Sequence, residues 1–333
     1  MVTVLAYAAI YLIWGSTFLA IRIAVDSIPP LLMMGVRSVA AGLLLVGWAT
    51  LRGERAPARV WARAAVAGAL MFGGGHGALA WAEQRIPSGV AALVVATLPL
   101  WVTAIEWAQR GRRPSPRALI GVGLGFGGVA LLVMRGGGAP LALVPIAVVI
   151  LGEGAWAVGS LYARPPRLPK SVAMNAGMPL LAGGGLLILT SLAVGEGRAF
   201  RVHDVSSGSV AALAYLVIFG SIIAFSAYAW LMQVSPAWRV GTHAYVNPLL
   251  AVALGAAVAG EPLSPALIAS AIVIAGSVAL ILTGQGTHAD AVGRTRRAAA
   301  AVVRASQPAV AGPALRVRRV VSSLRETRQP DPA

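Results

Sequence analysis

The chain has 333 residues, of which 58% are apolar and only 11% are charged, and its mean hydropathy is +0.78. Soluble domains are about 45–50% apolar and about 25% charged, so this composition excludes a soluble globular protein and a disordered one. The 27 Lys and Arg residues against 11 Asp and Glu give a net charge of +16, and the lack of cysteine excludes disulfides, thiolate nucleophiles and cysteine metal sites.

Ten stretches of the chain have the roughly 20 mostly apolar residues that a membrane helix needs. In chain order they cover residues 3–25, 30–51, 64–84, 89–108, 117–134, 141–163, 172–194, 209–232, 239–259 and 265–284. Residues 3–25 lack the basic leading segment of a signal peptide, so we predict a retained first helix. The predicted fold class is an all-α membrane protein with ten transmembrane helices.

Lysine and arginine are concentrated in alternate connections. The connections that follow spans two, four, six and eight hold 12 of these residues, and the opposite connections hold four. Because positive connections stay inside the cell, we predict a multi-pass protein of the inner membrane with both termini cytoplasmic. Membrane orientation accounts for the positive charge, so no nucleic-acid partner is needed to explain it. Nine further arginines lie in residues 285–333, which we predict to be a disordered cytoplasmic tail attracted to membrane lipids.

The two halves of the chain align without a gap when position 81 is placed on position 230, and we call this displacement the repeat shift. Over residues 80–132, 15 of 53 positions are identical, where chance gives roughly one in ten for so apolar a chain. The identities include Trp81 with Trp230, Pro99 with Pro248, and Ser115-Pro116 with Ser264-Pro265. Each copy holds five spans, an odd number, so the second copy crosses the membrane in the opposite sense. We predict two inverted repeats, residues 1–135 and 136–284, and by analogy alternating access.

Several motifs recur in a known family. They are Tyr11-Leu12-Ile13-Trp14-Gly15-Ser16-Thr17, Gly35-Val36-Arg37-Ser38-Val39-Ala40-Ala41-Gly42, Pro87-Ser88-Gly89-Val90-Ala91-Ala92, Phe219-Gly220-Ser221-Ile222-Ile223-Ala224 and Ala244-Tyr245-Val246-Asn247-Pro248. With them the chain resembles the EamA branch of the drug/metabolite transporter superfamily, most of all its YedA-type exporters. The resemblance implies a carrier of small organic molecules. The chain departs from the family pattern in its longer, arginine-rich tail and in His76, where asparagine is expected.

Two prolines mark a candidate transport site. Pro99 and Pro248 lack an amide N–H and free the carbonyl four residues earlier. A break at membrane depth in each repeat indicates that these residues line a cavity, and a kink satisfied by a neighbouring helix is the alternative. The polar residues that precede Pro248 in span nine extend the predicted lining: His243, Tyr245 and Asn247.

Three further ionisable residues within the predicted spans are candidate site residues. His76, set among glycines, is predicted to hydrogen-bond a substrate, and a neutral core histidine bonded to a carbonyl is the alternative. Glu153 is predicted to carry a proton or bind a cationic substrate, unless it pairs with an internal arginine. Arg37 is predicted to bind a substrate carboxylate or phosphate, and bonds to helix carbonyls are equally consistent with its position.

The repeat shift also relates spans three and eight. It places Phe225 opposite His76 and Ser221 opposite Phe72, so we add Phe225 and Ser221 to the predicted lining. We add Trp14 and Trp81 as cavity aromatics, although tryptophans near span ends usually anchor the membrane interface. The glycines of residues 121–128 indicate a close-packing face, either for a homodimer or within the monomer.

These features predict a secondary transporter, an exporter of small organic metabolites or drugs that works by alternating access. We predict no enzymatic activity, cofactor or metal. The sequence contains no Walker motif, so ATP-driven transport by this chain alone is unsupported, and it lacks the H-E-x-x-H motif that a zinc protease needs. Its expected partners are a small-molecule substrate and membrane lipids. An intramembrane enzyme and a passive channel remain the alternatives.

Overall fold

The computed structural model describes residues 1–110, 115–135, 143–163, 171–235 and 240–281. Within these ranges the regular structure is helical and no strand occurs, which confirms the all-α class for the described part of the chain. The long helices are α1 Val2–Ala24, α2 Pro30–Leu51, α3 58–83, α4 Ser88–Val95 and Leu98–Arg110, α5 Pro116–Arg135, α6 Leu143–Tyr162, α7 Val172–Ala193, α8 Ser207–Val234, α9 His243–Ala259 and α10 Pro265–Ile281. The predicted tail, residues 285–333, lies outside the described ranges.

Six of these helices contain a segment long and apolar enough to cross a membrane. They are α1, α2, α4 over Ser88–Gln109, α6, α7 and α8. Shorter apolar helical segments occupy Pro116–Leu131, Val246–Ala259 and Pro265–Ile281.

Two helices begin away from the predicted positions. Helix α3 starts at Ala58, before the predicted residue 64, because its first turns carry Arg59 and Arg63 and fall outside an apolar window. Pro57, in an extended conformation, ends the preceding connection. Helix α9 starts at His243, after the predicted residue 239.

The duplicated Ser-Pro pairs both start a helix. The Ser115 hydroxyl accepts a hydrogen bond from the Ala118 amide at 3.2 Å, and the Ser264 hydroxyl accepts one from the Leu267 amide at 3.0 Å. Serine is a favoured helix cap, and the proline that follows needs no amide partner in the first turn. The same local signal therefore begins α5 and α10.

Helices α2 and α7 pack against each other through glycines. A methyl group on Gly35 would lie 3.1 Å from the Gly184 carbonyl oxygen, and one on Gly42 would lie 3.0 Å from the Gly177 carbonyl oxygen. The residue numbers of the contacts increase along α2 and decrease along α7, so the two helices are antiparallel. Small residues permit this backbone approach in a lipid environment, where the hydrophobic effect does not drive helices together.

The glycine-rich stretch of α5 has two sides. Methyl groups on Gly125 and Gly128 would lie 3.0 Å from Ser277 Oγ and 2.7 Å from Ile274 Cγ1, so this side packs on α10. No atom lies within 4 Å of a methyl placed on Gly123 or Gly127. The first side has the packing role within the monomer, and the predicted homodimer would use the second side.

Three of the described helices contain π-helical segments, which no pattern in the sequence predicts. They are Ala9–Ile13 in α1, Ala69–His76 in α3 and Leu216–Ala224 in α8. The repeat shift carries the α3 segment onto positions 218–225, which overlap the α8 segment. π-Helical turns widen a helix and are frequent at functional sites, so they direct attention to the region between α1, α3 and α8.

Candidate functional site

Aromatic rings and two histidines from five helices form a continuous set of contacts, here called the central aromatic cluster: Trp14, Phe72, His76, Trp156, Phe225, Tyr228 and His243. His76 stacks on Trp156 with centroids 4.7 Å apart and an interplanar angle of 29°. Phe72 meets both rings edge-on, at 5.1 Å from His76 and 5.6 Å from Trp156, and also meets Phe225 at 5.1 Å. This part of the cluster joins α3, α6 and α8.

The rest of the cluster joins α8 to α1 and α9. Tyr228 lies 6.0 Å from Phe225 and 5.1 Å from Trp14, measured between ring centroids. Trp14 meets His243 edge-on at 5.1 Å, and its indole N–H donates to the Gly220 carbonyl oxygen at 3.2 Å. The cluster therefore brings together four predicted residues, since it contains Trp14, His76, Phe225 and His243.

The two histidines differ in their bonding. His243 Nδ1 lies 2.8 Å from the Val240 carbonyl oxygen, so that nitrogen is occupied by its own helix start. His76 Nδ1 is buried and has no hydrogen-bond partner among the described residues. Buried polar atoms are nearly always hydrogen-bonded in native proteins. The unpartnered Nδ1 of His76 is therefore a position where a substrate could form a hydrogen bond within the cluster.

Arg37 lies next to the cluster and is only 2% exposed. Its Nε donates to the Ser221 hydroxyl at 2.8 Å, and a methyl group on Gly220 would lie 2.8 Å from its Nη2. None of the described carboxylates forms an ion pair with Arg37, so the guanidinium has no directly paired counter-ion in the described part of the structure. The arrangement brings together the predicted residues Arg37 and Ser221.

Glu153 is also buried, at 6% exposure, one helical turn before Trp156 on α6. The described ranges contain no cation or donor bonded to its carboxylate, so the alternative of an internal arginine partner is not found there. A buried carboxylate without a partner is stable mainly when it is protonated.

The two symmetry-related prolines lie in different local structures. Helix α4 is interrupted between Val95 and Leu98, just before Pro99. Helix α9 continues through Pro248 without interruption. A break is therefore present in the first repeat only, and the paired mid-membrane break expected from the sequence is not observed within the described helices.

Asn247 and Trp81 occupy separate surroundings. Asn247, oriented so that its amide nitrogen faces acceptors, donates to the Tyr11 carbonyl oxygen at 3.0 Å and the His243 carbonyl oxygen at 3.2 Å, and so ties α9 to α1. Trp81 lies at the end of α3 beneath the Arg85 guanidinium, 4.0 Å from the ring centroid, away from the ring contacts of the cluster. The Tyr245 side chain lies outside the described part of the structure.

Three members of the cluster were not predicted: Phe72, Trp156 and Tyr228. Phe72 has a sequence signal, because it is the symmetry mate of Ser221. Trp156 follows Glu153 by three residues and so shares its helix face. Tyr228 has no comparable signal, since an aromatic residue in an apolar span is common.

A cavity of about 440 Å³ opens at one end of the bundle, and we call it the vestibule. The polar residues that line it include Arg22, Asp26, Glu83, Arg85 and Glu261. A cavity of about 170 Å³ beside Trp101 and one of about 50 Å³ beside Tyr228 are smaller.

Two acidic residues in connections hold helix N-termini. Glu261 accepts hydrogen bonds from the Ser88 amide at 2.7 Å and the Gly89 amide at 3.1 Å, at the start of α4. Glu196 accepts from the Leu32 amide at 3.0 Å, at the start of α2. Both carboxylates satisfy free amides and face the positive end of a helix dipole.

Comparison with known proteins decides the family. The model of the EamA-like transporter family matches residues 1–134 and 143–283, which is most of the chain. The chain belongs to the EamA-like transporter family. The resemblance described from the sequence motifs is thereby confirmed.

Relatives of this EamA-like protein are named as transporters. Escherichia coli (strain K12) "Uncharacterized inner membrane transporter YedA" is 40% identical over 265 residues, 78% of this chain and 83% of that protein. Bacillus subtilis (strain 168) "Uncharacterized transporter YvbV" is 23% identical over 299 residues, 89% of this chain and 97% of that protein. Salmonella typhimurium "Probable amino-acid metabolite efflux pump" is 24% identical over 285 residues, 80% and 89% of the two chains.

A solved chain described only as "Crystal structure of protein" shares the fold. It matches with a TM-score of 0.61 and 24% identity, over 84% of this chain and 95% of that chain. Family, relatives and apolar helices together make this EamA-like chain a multi-pass membrane protein. They point to a transporter and not to an enzyme.

Proposed function

We propose that this chain is a ten-span secondary transporter of the inner membrane that exports small organic metabolites by alternating access. In this proposal residues 1–135 and 136–284 are inverted five-span repeats, and both termini are cytoplasmic. The central aromatic cluster and Arg37 form the substrate site between the repeats.

The observation that carries the proposal is how equivalent helices pack. Gly35 on α2 and Gly184 on α7 are related by the repeat shift, and they touch where these helices cross antiparallel. On α5 and α10, Gly125 meets Ser277 and Gly128 meets Ile274, and the repeat shift converts one contact into the other.

When residue i of one copy contacts residue j of the other and the equivalent of j contacts the equivalent of i, the two copies are related by a two-fold axis. Because the paired helices are antiparallel, that axis lies across them and not along them. An axis of this kind lies in the membrane plane when the helices span the membrane, and it relates inverted repeats. Two repeats of this type can exchange conformations, which supports alternating access.

The chemistry of the site favours a substrate with a carboxylate. Arg37 has no directly paired carboxylate among the described residues, and its planar donors match a substrate carboxylate at two points. Through Gly220 it adjoins Trp14, whose ring continues into the aromatic cluster. The aromatic faces would contact the apolar part of a substrate, and Glu153 would take up a proton or meet an ammonium group.

The name of the Salmonella relative, an amino-acid metabolite efflux pump, supports a substrate derived from amino acids. In its zwitterionic form an amino acid offers both the carboxylate that suits Arg37 and an ammonium group that suits Glu153.

Counterflow in liposomes tests this function. The purified full chain is reconstituted, the liposomes are loaded with an unlabelled amino-acid mixture, and a trace of the same labelled mixture is added outside. A carrier exchanges one substrate for another, so we expect at least one labelled compound to accumulate transiently above its equilibrium level. Equilibration without an overshoot, as a passive channel produces, would contradict the proposal, as would no uptake beyond that of protein-free liposomes.

A further inference from the structure

Glu83, at the last residue of α3, is an acidic residue that none of the preceding roles uses. Its side chain is 0% exposed, and neither carboxylate oxygen has a hydrogen-bond partner among the described residues. It nevertheless belongs to the lining of the vestibule. A carboxyl group is thus sealed from solvent at the inner boundary of an open cavity.

The charged residues around Glu83 come from several of the helix ends that border the vestibule, and from α2. Arg22 and Asp26 lie at the end of α1, Arg85 follows α3, and Glu261 precedes α10. Arg37 of α2 and Arg22 attract the charged form of Glu83, while Glu261 repels it. The attraction comes from a distance, because no described cation pairs directly with Glu83.

Another acidic residue of this cavity already has hydrogen-bond partners. Glu261 is held by the Ser88 hydroxyl at 2.8 Å and by the Ser88 and Gly89 amides. These three donors supply the hydrogen bonds that its carboxylate needs at the start of α4. Glu83, in contrast, has no donor and no exposed surface, and a carboxyl group without partners is far less costly to bury as a neutral acid than as an anion.

We propose that Glu83 is a proton-binding site, occupied in the described conformation and emptied into the vestibule when this end of the bundle opens. On opening, the carboxylic acid O–H transfers its proton to a vestibule water, which leaves a carboxylate and a hydronium ion. The ionised group keeps water around it, so the end closes again only after a proton returns. The inference rests on the proposed alternating access and gives it a proton-dependent step that is separate from Glu153.

A single cysteine tests this site without any substrate. The chain has no natural cysteine, so Ile86→Cys places a lone thiol on the vestibule lining, at a side chain that is only 3% exposed. Its rate of reaction with a water-soluble thiol reagent in liposomes reports opening. Val202→Cys, at a side chain that is 80% exposed, corrects for ionisation of the thiol itself.

We expect the corrected rate at residue 86 to rise roughly tenfold between about pH 6 and about pH 9, because loss of the Glu83 proton favours the open end. Glu83→Gln imitates the protonated acid and should hold the rate low at every pH. Glu83→Asp keeps an acid and should keep the pH dependence, which guards against a Gln variant that folds poorly.

The proposal would be overturned if the corrected rate at residue 86 did not change with pH in the protein that keeps Glu83. It would also be overturned if the pH dependence remained in the Glu83→Gln variant. Both results are independent of counterflow. The proton site can therefore fail while transport stands, and transport can fail while the proton site stands.

Discussion

Gly183→Ala is expected to prevent the chain from folding, because α3 and α7 touch there through their backbones. A methyl group on Gly183 would lie 2.3 Å from the Gly68 carbonyl oxygen and 2.7 Å from Phe72 Cβ. The opposing atoms belong to a helix backbone and cannot rotate away, so the helices must separate. Overpacking of this kind costs about 3 kcal/mol or more, and separation would also displace Phe72 from the aromatic cluster.

The matched control lies two residues further along the same helix. No atom is within 4 Å of a methyl group placed on Gly185, so Gly185→Ala meets open space. Alanine is also favoured over glycine inside a helix by about 1 kcal/mol. Expression level and thermal unfolding in detergent measure both variants. A Gly183→Ala protein as stable as Gly185→Ala would show that α3 and α7 are not packed as described.

Arg37→Gln is expected to lower counterflow by about 10- to 100-fold without lowering stability. A two-point, charge-assisted contact with a substrate carboxylate is worth roughly 1.5–3 kcal/mol, which is the origin of the expected loss. The free protein loses a buried charge that has no directly paired carboxylate among the described residues, so its free energy of unfolding should stay level or rise. The measurements are initial counterflow rates and thermal unfolding of the reconstituted variant.

Ser221→Ala separates the two roles that Arg37 can have. It removes the hydroxyl that accepts the Arg37 hydrogen bond and leaves the guanidinium in place. If Arg37 binds substrate, this variant should transport far better than Arg37→Gln. If Arg37 is structural, both variants would lose stability, and transport would fall only in proportion to the loss of folded protein.

The helices were predictable because their signals are local. Runs of apolar residues indicate most of the described helix bounds to within a few residues, and the repeated Ser-Pro pair indicates where α5 and α10 begin. The start of α3 was missed for a local reason too, since Arg59 and Arg63 lower the hydropathy of its first turns. The family could be named from motifs distributed over most of the chain.

The site was only partly predictable because it depends on contacts between distant residues. The repeat shift directs attention to Ser221 and Phe225, which contact Arg37 and Phe72. It does not reveal that Trp156 covers His76 or that Trp81 lies under Arg85. Glu83 was missed because, at the end of a predicted span, an acid is expected to reach solvent, whereas neighbouring helix ends enclose it.

The inverted relation between the two halves is tested most directly by the sides of the membrane on which equivalent residues lie. The repeat shift places Arg201 opposite Arg52, and both are exposed in connections that follow equivalent helices. Each is replaced by cysteine, alone, and intact cells are treated with a membrane-impermeant maleimide. We expect Arg201→Cys to be labelled in intact cells and Arg52→Cys only after the membrane is permeabilised. Labelling of both cysteines from the same side would contradict inverted repeats.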